Sequence, residues 1–268
     1  MNCTGVMIYS KKHNFLFLKG VKVAGTSVEI ALSKICGNKD IITPIANIDE
    51  RTRVQSNIRH AQNYGPKKAE IKDFIQWLLH VPTEQITSRQ APKGIVNNHM
   101  PLKRIYKKLD QLHPEIKDAN IFAIVRSPYE QVLSRVNHKV KFKGYKTSGE
   151  PMQASQSNLR LELDRYIAKL QQRNIEAYRS KNFQIYDSSF DKSIDVRFIR
   201  FENLKDELDH TLNQIGIKAD VELPFTKKGL QSSNDLFKEI ATPDQIQIIN
   251  NYHKSDFSRF GYDMIDPA

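Results

Sequence analysis

Gly20 and Gly25, with a hydroxyl at Ser27, have the spacing of a loop that cradles an anion. The chemistry is that of the backbone. Successive N–H groups at a tight turn, backed by the first turn of a helix, point at one place and favour negative charge there. Lys22 lies inside this loop and adds a point charge; Val23 and Ala24 follow it, and Thr26 stands just before Ser27. A second set lies further along the chain, where the apolar run 121–125 ends on Arg126 and Ser134 follows. A guanidinium fork matches two oxygens of a phosphate monoester, and a hydroxyl completes such a clamp. Taken singly, the first set is equally a plain strand-to-helix bend, and the second an arginine capping a strand with a serine on a helix surface.

These residues need elements to hold them. Phe15–Leu18 is a compact apolar run entered from the polar stretch 10–14, the profile of a short buried strand. Residues 27–35 read as a helix with Val28, Leu32 and Ile35 on one face and the small Ala31 between them. Strand, glycine loop and helix open an α/β nucleotide-binding unit. The run 121–125 reads as a buried central strand, and it delivers Arg126 at its C-terminal end, where ligands bind in open α/β sheets. Pro128 suits the first turn of a helix over residues 129–136. Further helices are expected over 69–79, 102–112, 159–179, 204–215 (closed by Gly216) and 243–252, with a strand over 196–201. Residues 41–66 read as loop-rich, 143–157 as a mobile loop and 224–235 as a polar, basic loop. With no internal repeat or domain boundary in view, the expectation is one α/β domain over residues 1–268, built on a central parallel sheet flanked by helices.

Composition narrows the partners. Apolar residues at 39% and charged residues at 26% exclude wholesale disorder. The formal charge of +11 draws anions without choosing among nucleic acid, a membrane surface and a small phosphorylated or sulfated ligand. Cys3 and Cys36 form no CxxC pair and no Cys/His cluster at zinc spacing, so neither a disulfide framework nor a metal is expected. No signal-peptide shape and no membrane-spanning apolar stretch is visible, which reads as a soluble, cytoplasmic protein.

The loop departs from the nucleotide pattern G-x-x-x-x-G-K-[ST] at one position: Thr26 stands where that pattern has lysine, and the lysine is displaced to Lys22. The usual lysine serves the β- and γ-phosphates of a magnesium nucleotide. A donor carrying a sulfonate instead has less charge on its transferring group, and a single lysine near the bridging oxygen suffices without a metal. Lys22, Val23, Ala24, Gly25, Thr26 and Ser27 resemble the 5′-phosphosulfate loop, P-K-T-G-G/S-T, of sulfotransferases that use 3′-phosphoadenosine 5′-phosphosulfate (PAPS). Val21 replaces the usual proline, and Ala24 a frequent glycine. Arg126 and Ser134 resemble the family's 3′-phosphate motif, R-[NS]-P-x(5)-S.

Three further segments fall in the family's order. Residues 200–204 (Arg-Phe-Glu-Asn-Leu) resemble R-Y-E-D/N-L. Lys228 and Gly229 sit where related enzymes place a basic glycine loop over the donor. Residues 256–262 resemble D-x-x-x-F-G-Y. Segments 41–87 and 139–190 match poorly, and acceptor recognition is expected there.

The resemblance implies a three-layer, P-loop-like fold and sulfonate transfer from PAPS to a hydroxyl of a carbohydrate or small alcohol. It implies no metal, no nucleic-acid partner and no membrane insertion. Such a transfer needs a base. Eight histidines make any single one weak evidence, but the resemblance favours His99, which precedes the helix leading to the Arg126 strand. His13, His60 and Glu202 remain alternatives. Two rival readings stand beside this one: a P-loop kinase or nucleotide hydrolase, and a non-catalytic module that binds polyanions.

Overall fold

The computed structural model describes residues 7–97, 99–148, 152–172, 179–218, 221–223 and 233–267. It divides into two compact units, one formed by residues 1–125 with 185–226 and the other by 126–184 with 227–268.

The first unit is built on a sheet. Strands β1 (Met7–Ser10) and β2 (Phe15–Leu18) precede helix α1 (Gly25–Ser33), strand β3 (Ile41–Ile42) and helices α2 (Asn47–Gln55), α3 (Lys68–His80) and α4 (Leu102–Leu109). Strand β4 (Asn120–Val125) ends the unit's first segment. The second unit holds α5 (Pro128–Ser148) and α6 (Gln156–Gln171), and the chain recrosses at the end of α7 (Lys181–Ile185). Strand β5 (Val196–Arg200) and α8 (Leu204–Gln214) return to the first unit; α9 (Ser233–Ile240), α10 (Pro243–Tyr252) and α11 (Lys254–Phe260) complete the second.

The sheet order is β3-β1-β2-β4-β5. β2, β4 and β5 run parallel, with Leu18 level with Ala123 and Ile121 level with Val196. The expected central parallel sheet holds for β2, β4 and β5, while β1 is antiparallel to both β2 and β3. The reason is local. A short polar turn, with Asn14 at φ 51°, joins β1 to β2, and two strands joined so closely can only pair antiparallel.

Phe15, Phe17, Phe122, Ile124 and Ile199 line one face of the sheet, where Val28, Ala31 and Leu32 of α1 and Leu208 and Leu212 of α8 pack on them. This is the apolar stripe expected of the glycine-loop helix, and it anchors that helix to the strand before the loop. On the other face Tyr9 meets the His113 ring at 6.3 Å, and the Tyr186 hydroxyl donates to the Ile124 carbonyl at 2.8 Å.

The second unit is helical. Val132, Leu133, Val136 and Val140 of α5 pack with Leu159, Leu163 and Ile167 of α6 and with Phe237, Ile249 and Phe257. α5 runs to Ser148, well past the expected end at residue 136 and into the segment expected as a mobile loop. Buried Val140 and the ion pair of Lys143 with Glu162 of α6 hold this extension in place. Among the described residues, no helix is long and apolar enough to cross a membrane.

Candidate active site

The loop between β2 and α1 bends through two non-glycine residues in the left-handed region, Lys22 at φ 63° and Ala24 at φ 60°. L-residues pay for that conformation and keep it mostly where surrounding structure enforces it for function. Ala24 is the N-cap of α1, and its carbonyl accepts from Ser27 N at 3.1 Å and from Val28 N at 3.5 Å. Ala24 has no side chain that could cap the helix, and the first turn has no acidic residue. The positive end of α1 is therefore not neutralised from within, which suits an incoming anion. Val23, Gly25 and Ser27 are buried, and Lys22, Ala24 and Thr26 are half-buried.

Lys19, the first residue after β2, organises the floor of the loop. Its ammonium donates to Thr26 Oγ1 at 2.8 Å and to Glu29 Oε2 at 2.9 Å. Its aliphatic stem fills the space a side chain at position 25 would need: a Cβ there would lie 2.5 Å from Lys19 Cγ. Gly25 is thus required for packing, not for its backbone angles. Glu29 is fully buried, and burial pushes its carboxyl up to about 7 against the pull of Lys19 and Arg53. Its second oxygen, Oε1, has no hydrogen-bond partner among the described residues. Beneath it, Ser33 Oγ donates to the Glu29 carbonyl at 2.6 Å and accepts from Arg53 at 3.2 Å. Arg53 is itself paired with buried Glu50. Burial also raises the Asp49 carboxyl, with Lys19 pulling it back.

His99 reaches the same place. Its Nδ1 lies 3.1 Å from the Lys19 carbonyl. A carbonyl only accepts, so Nδ1 carries the hydrogen, and the neutral ring has its basic lone pair on Nε2. The backbone at His99 is left-handed, φ 50°. The approach to it is pinned at Gly94, where a Cβ would lie 2.4 Å from the Tyr64 carbonyl, and by Ile95 N donating to that carbonyl at 2.9 Å.

The loop residues and His99 are therefore brought together within the first unit. His13 instead contacts the Ile35 carbonyl and His60 the Ala61 carbonyl, both through ring nitrogens. Arg126 and Ser134 belong to the second unit. Arg126, the residue after β4, is paired with Glu130 at 2.8 Å, and its carbonyl accepts from Gln131, which in turn accepts from Asn182 at 2.7 Å. Ser134 is half-buried on α5. Lys228 and Gly229 lie outside the described residues. In residues 256–262, Asp256 is buried and bonds His253 Nδ1 at 2.6 Å, and Gly261 ends α11 at φ 62°.

Sequence reasoning missed Lys19 and Glu29. Lys19 was legible only as the charge that ends an apolar run, and Glu29 only as a polar residue in a helix. Among the described residues, no group of three or more His, Cys, Asp or Glu could hold a metal ion.

No curated protein and no solved structure matches the chain. The model of the sulfotransferase family matches residues 6–263, nearly the whole sequence, and the chain belongs to that family.

Proposed function

We propose that the protein transfers a sulfonate group from PAPS to a hydroxyl of an acceptor, with a carbohydrate or small alcohol favoured. The observation that carries the reading is His99 Nδ1 on the Lys19 carbonyl at the floor of an anion-cradling loop. It sets a histidine whose basic nitrogen is Nε2 against the residue that leads into the loop, and the helix after the loop has no acidic residue in its first turn. The family match over residues 6–263 supports reading the chain as a sulfonate-transferring enzyme.

The reaction is an in-line displacement at sulfur. The acceptor oxygen forms a bond to sulfur as the bond from sulfur to the bridging phosphate oxygen breaks, releasing 3′-phosphoadenosine 5′-phosphate. His99 Nε2 takes the acceptor's proton. The Lys22 ammonium offsets charge growing on the leaving phosphate, and the N–H groups of residues 23–27 hold that phosphate, with Ser27 N shared between it and the Ala24 carbonyl. Arg126 and Ser134 take the 3′-phosphate, with Arg126 exchanging Glu130 for it; Lys228 and Gly229 cover the same end of the donor.

Calorimetry with 3′-phosphoadenosine 5′-phosphate in the presence of a chelator should show binding, and an acceptor panel read by mass spectrometry should show a gain of one sulfonate. Lys22→Ala should lower turnover by about 100-fold or more, and His99→Ala by about 100- to 10,000-fold with donor affinity retained. Near-full turnover in His99→Ala removes it as the base. Magnesium-dependent ATP binding with no affinity for the adenosine bisphosphate overturns the whole reading in favour of a nucleotide kinase or hydrolase.

A further inference from the structure

The nucleotide pattern puts a lysine immediately before the Ser/Thr that opens the helix, and here that position is Thr26. The structure brings a lysine to Thr26 from a different point in the chain: the Lys19 ammonium sits 2.8 Å from Thr26 Oγ1. We propose that Lys19 is a positioning residue that makes the Thr26 hydroxyl an obligatory donor to the 5′-phosphate of the sulfonate donor. The proposal rests on the reading of this loop as the donor site.

The argument is one of hydrogen-bond polarity. An ammonium has three donors and no acceptor, so Thr26 Oγ1 must accept from Lys19. A hydroxyl has one proton, and with its oxygen engaged as an acceptor that proton is turned away from Lys19. An unconstrained hydroxyl would instead choose among donor and acceptor arrangements and lose part of its benefit to a bound anion. The ammonium itself is held in place. Glu29 Oε2 accepts a second of its protons at 2.9 Å, the side chain is only 10% exposed, and the stem lies over Gly25. Glu29 is fully buried and borne on the same helix as Thr26, so strand end, loop and helix share one cation. Lys19 need not touch the donor to act. It sets the direction in which Thr26 gives its proton, and a charge-assisted bond to phosphate is the stronger kind.

The test is a double-variant cycle on affinity for 3′-phosphoadenosine 5′-phosphate. Breaking a buried pair leaves an uncompensated charge, so Lys19 is changed together with its partner, as Lys19→Met/Glu29→Gln; Met keeps the unbranched stem over Gly25. Thr26→Val alone should weaken binding about tenfold, the scale of one hydrogen bond to a charged group. Lys19→Met/Glu29→Gln should weaken it similarly, and adding Thr26→Val on that background should cost less than about threefold more, because the hydroxyl has already lost its fixed polarity. Thermal melts without ligand accompany each variant. A role in folding alone would lower the melting temperature and leave the Thr26→Val penalty the same in both backgrounds, and that result overturns the proposal. So does wild-type affinity in Lys19→Met/Glu29→Gln. Failure of the wild-type protein to bind the adenosine bisphosphate is a separate result, and it overturns the donor reading first.

Discussion

Glu29 shows how a single buried side chain ties the loop's chemistry to pH. Burial raises its carboxyl from the usual 4.5 to about 7, with the Lys19 ammonium pulling against that rise. Below pH 4.5 the group is protonated in folded and unfolded chains alike. Between there and about 7 the folded chain keeps a proton that the unfolded chain has released, so its contribution to stability is lost as pH rises through that window. Glu29→Gln has no such proton. Its melting temperature relative to wild type should therefore improve steadily from pH 4.5 to about 7 in parallel thermal melts, and a flat difference would show that Glu29 does not titrate there. At this scale the sequence was legible where spacing carries the message. Gly20, Lys22, Gly25 and Ser27 form a pattern along the chain, and His99 could be matched to a family position. Lys19 and Glu29 form no such pattern. Their meaning arises when the end of β2 meets the first turns of α1, a contact between residues ten apart that no periodicity announces.

Hydrophobic pattern found the elements whose buried faces are apolar and lost those whose buried faces are not. α3, with Ile71, Phe74, Ile75 and Leu78 inward, was expected over nearly its full length. α2 was read as loop because its two buried residues are Glu50 and Arg53, a charged pair that a search for apolar periodicity counts as surface. β1 escaped because its four residues run straight into a polar turn, and with it went the antiparallel member of the sheet. In the second unit, one hydroxyl joins distant elements. Tyr129 at the start of α5 donates to Asn250 of α10 and accepts from Ile265 N at 2.7 Å, with its ring 5.0 Å from Phe237 and 5.1 Å from Phe257. Tyr129→Phe keeps the ring contacts and strands two buried polar groups. It should cost about 2 kcal/mol in denaturant unfolding, the penalty for leaving such groups unsatisfied. A loss near zero would mean that Asn250 and the Ile265 amide find other partners.

Across the whole molecule the formal charge of +11 acts in two directions at once. Lys103, Arg104, Lys107 and Lys108 of α4 are all exposed, so part of the excess stands on one helix face and repels itself. Self-repulsion of this kind destabilises the compact state, and salt relieves it once the Debye length falls to about 10 Å near 0.1 M. The same positive field draws an anionic donor toward the protein, and there salt works the other way. Raising sodium chloride from about 20 to about 200 mM should therefore raise the melting temperature of the unliganded protein while weakening its affinity for 3′-phosphoadenosine 5′-phosphate. The opposite signs separate long-range charge from the local site. If binding were only the attraction of a basic surface for polyanions, affinity would fall steeply with salt in proportion to the phosphates engaged, and nucleic acid would displace the nucleotide. A site that holds one donor on the N–H groups of the loop, as proposed, should retain measurable affinity at the higher salt. It should also discriminate 3′-phosphoadenosine 5′-phosphate from AMP, which lacks the 3′-phosphate assigned to Arg126 and Ser134. Calorimetry on both nucleotides at the two salt concentrations decides between these outcomes, and equal affinity for the two would remove the 3′-phosphate clamp from the proposed function.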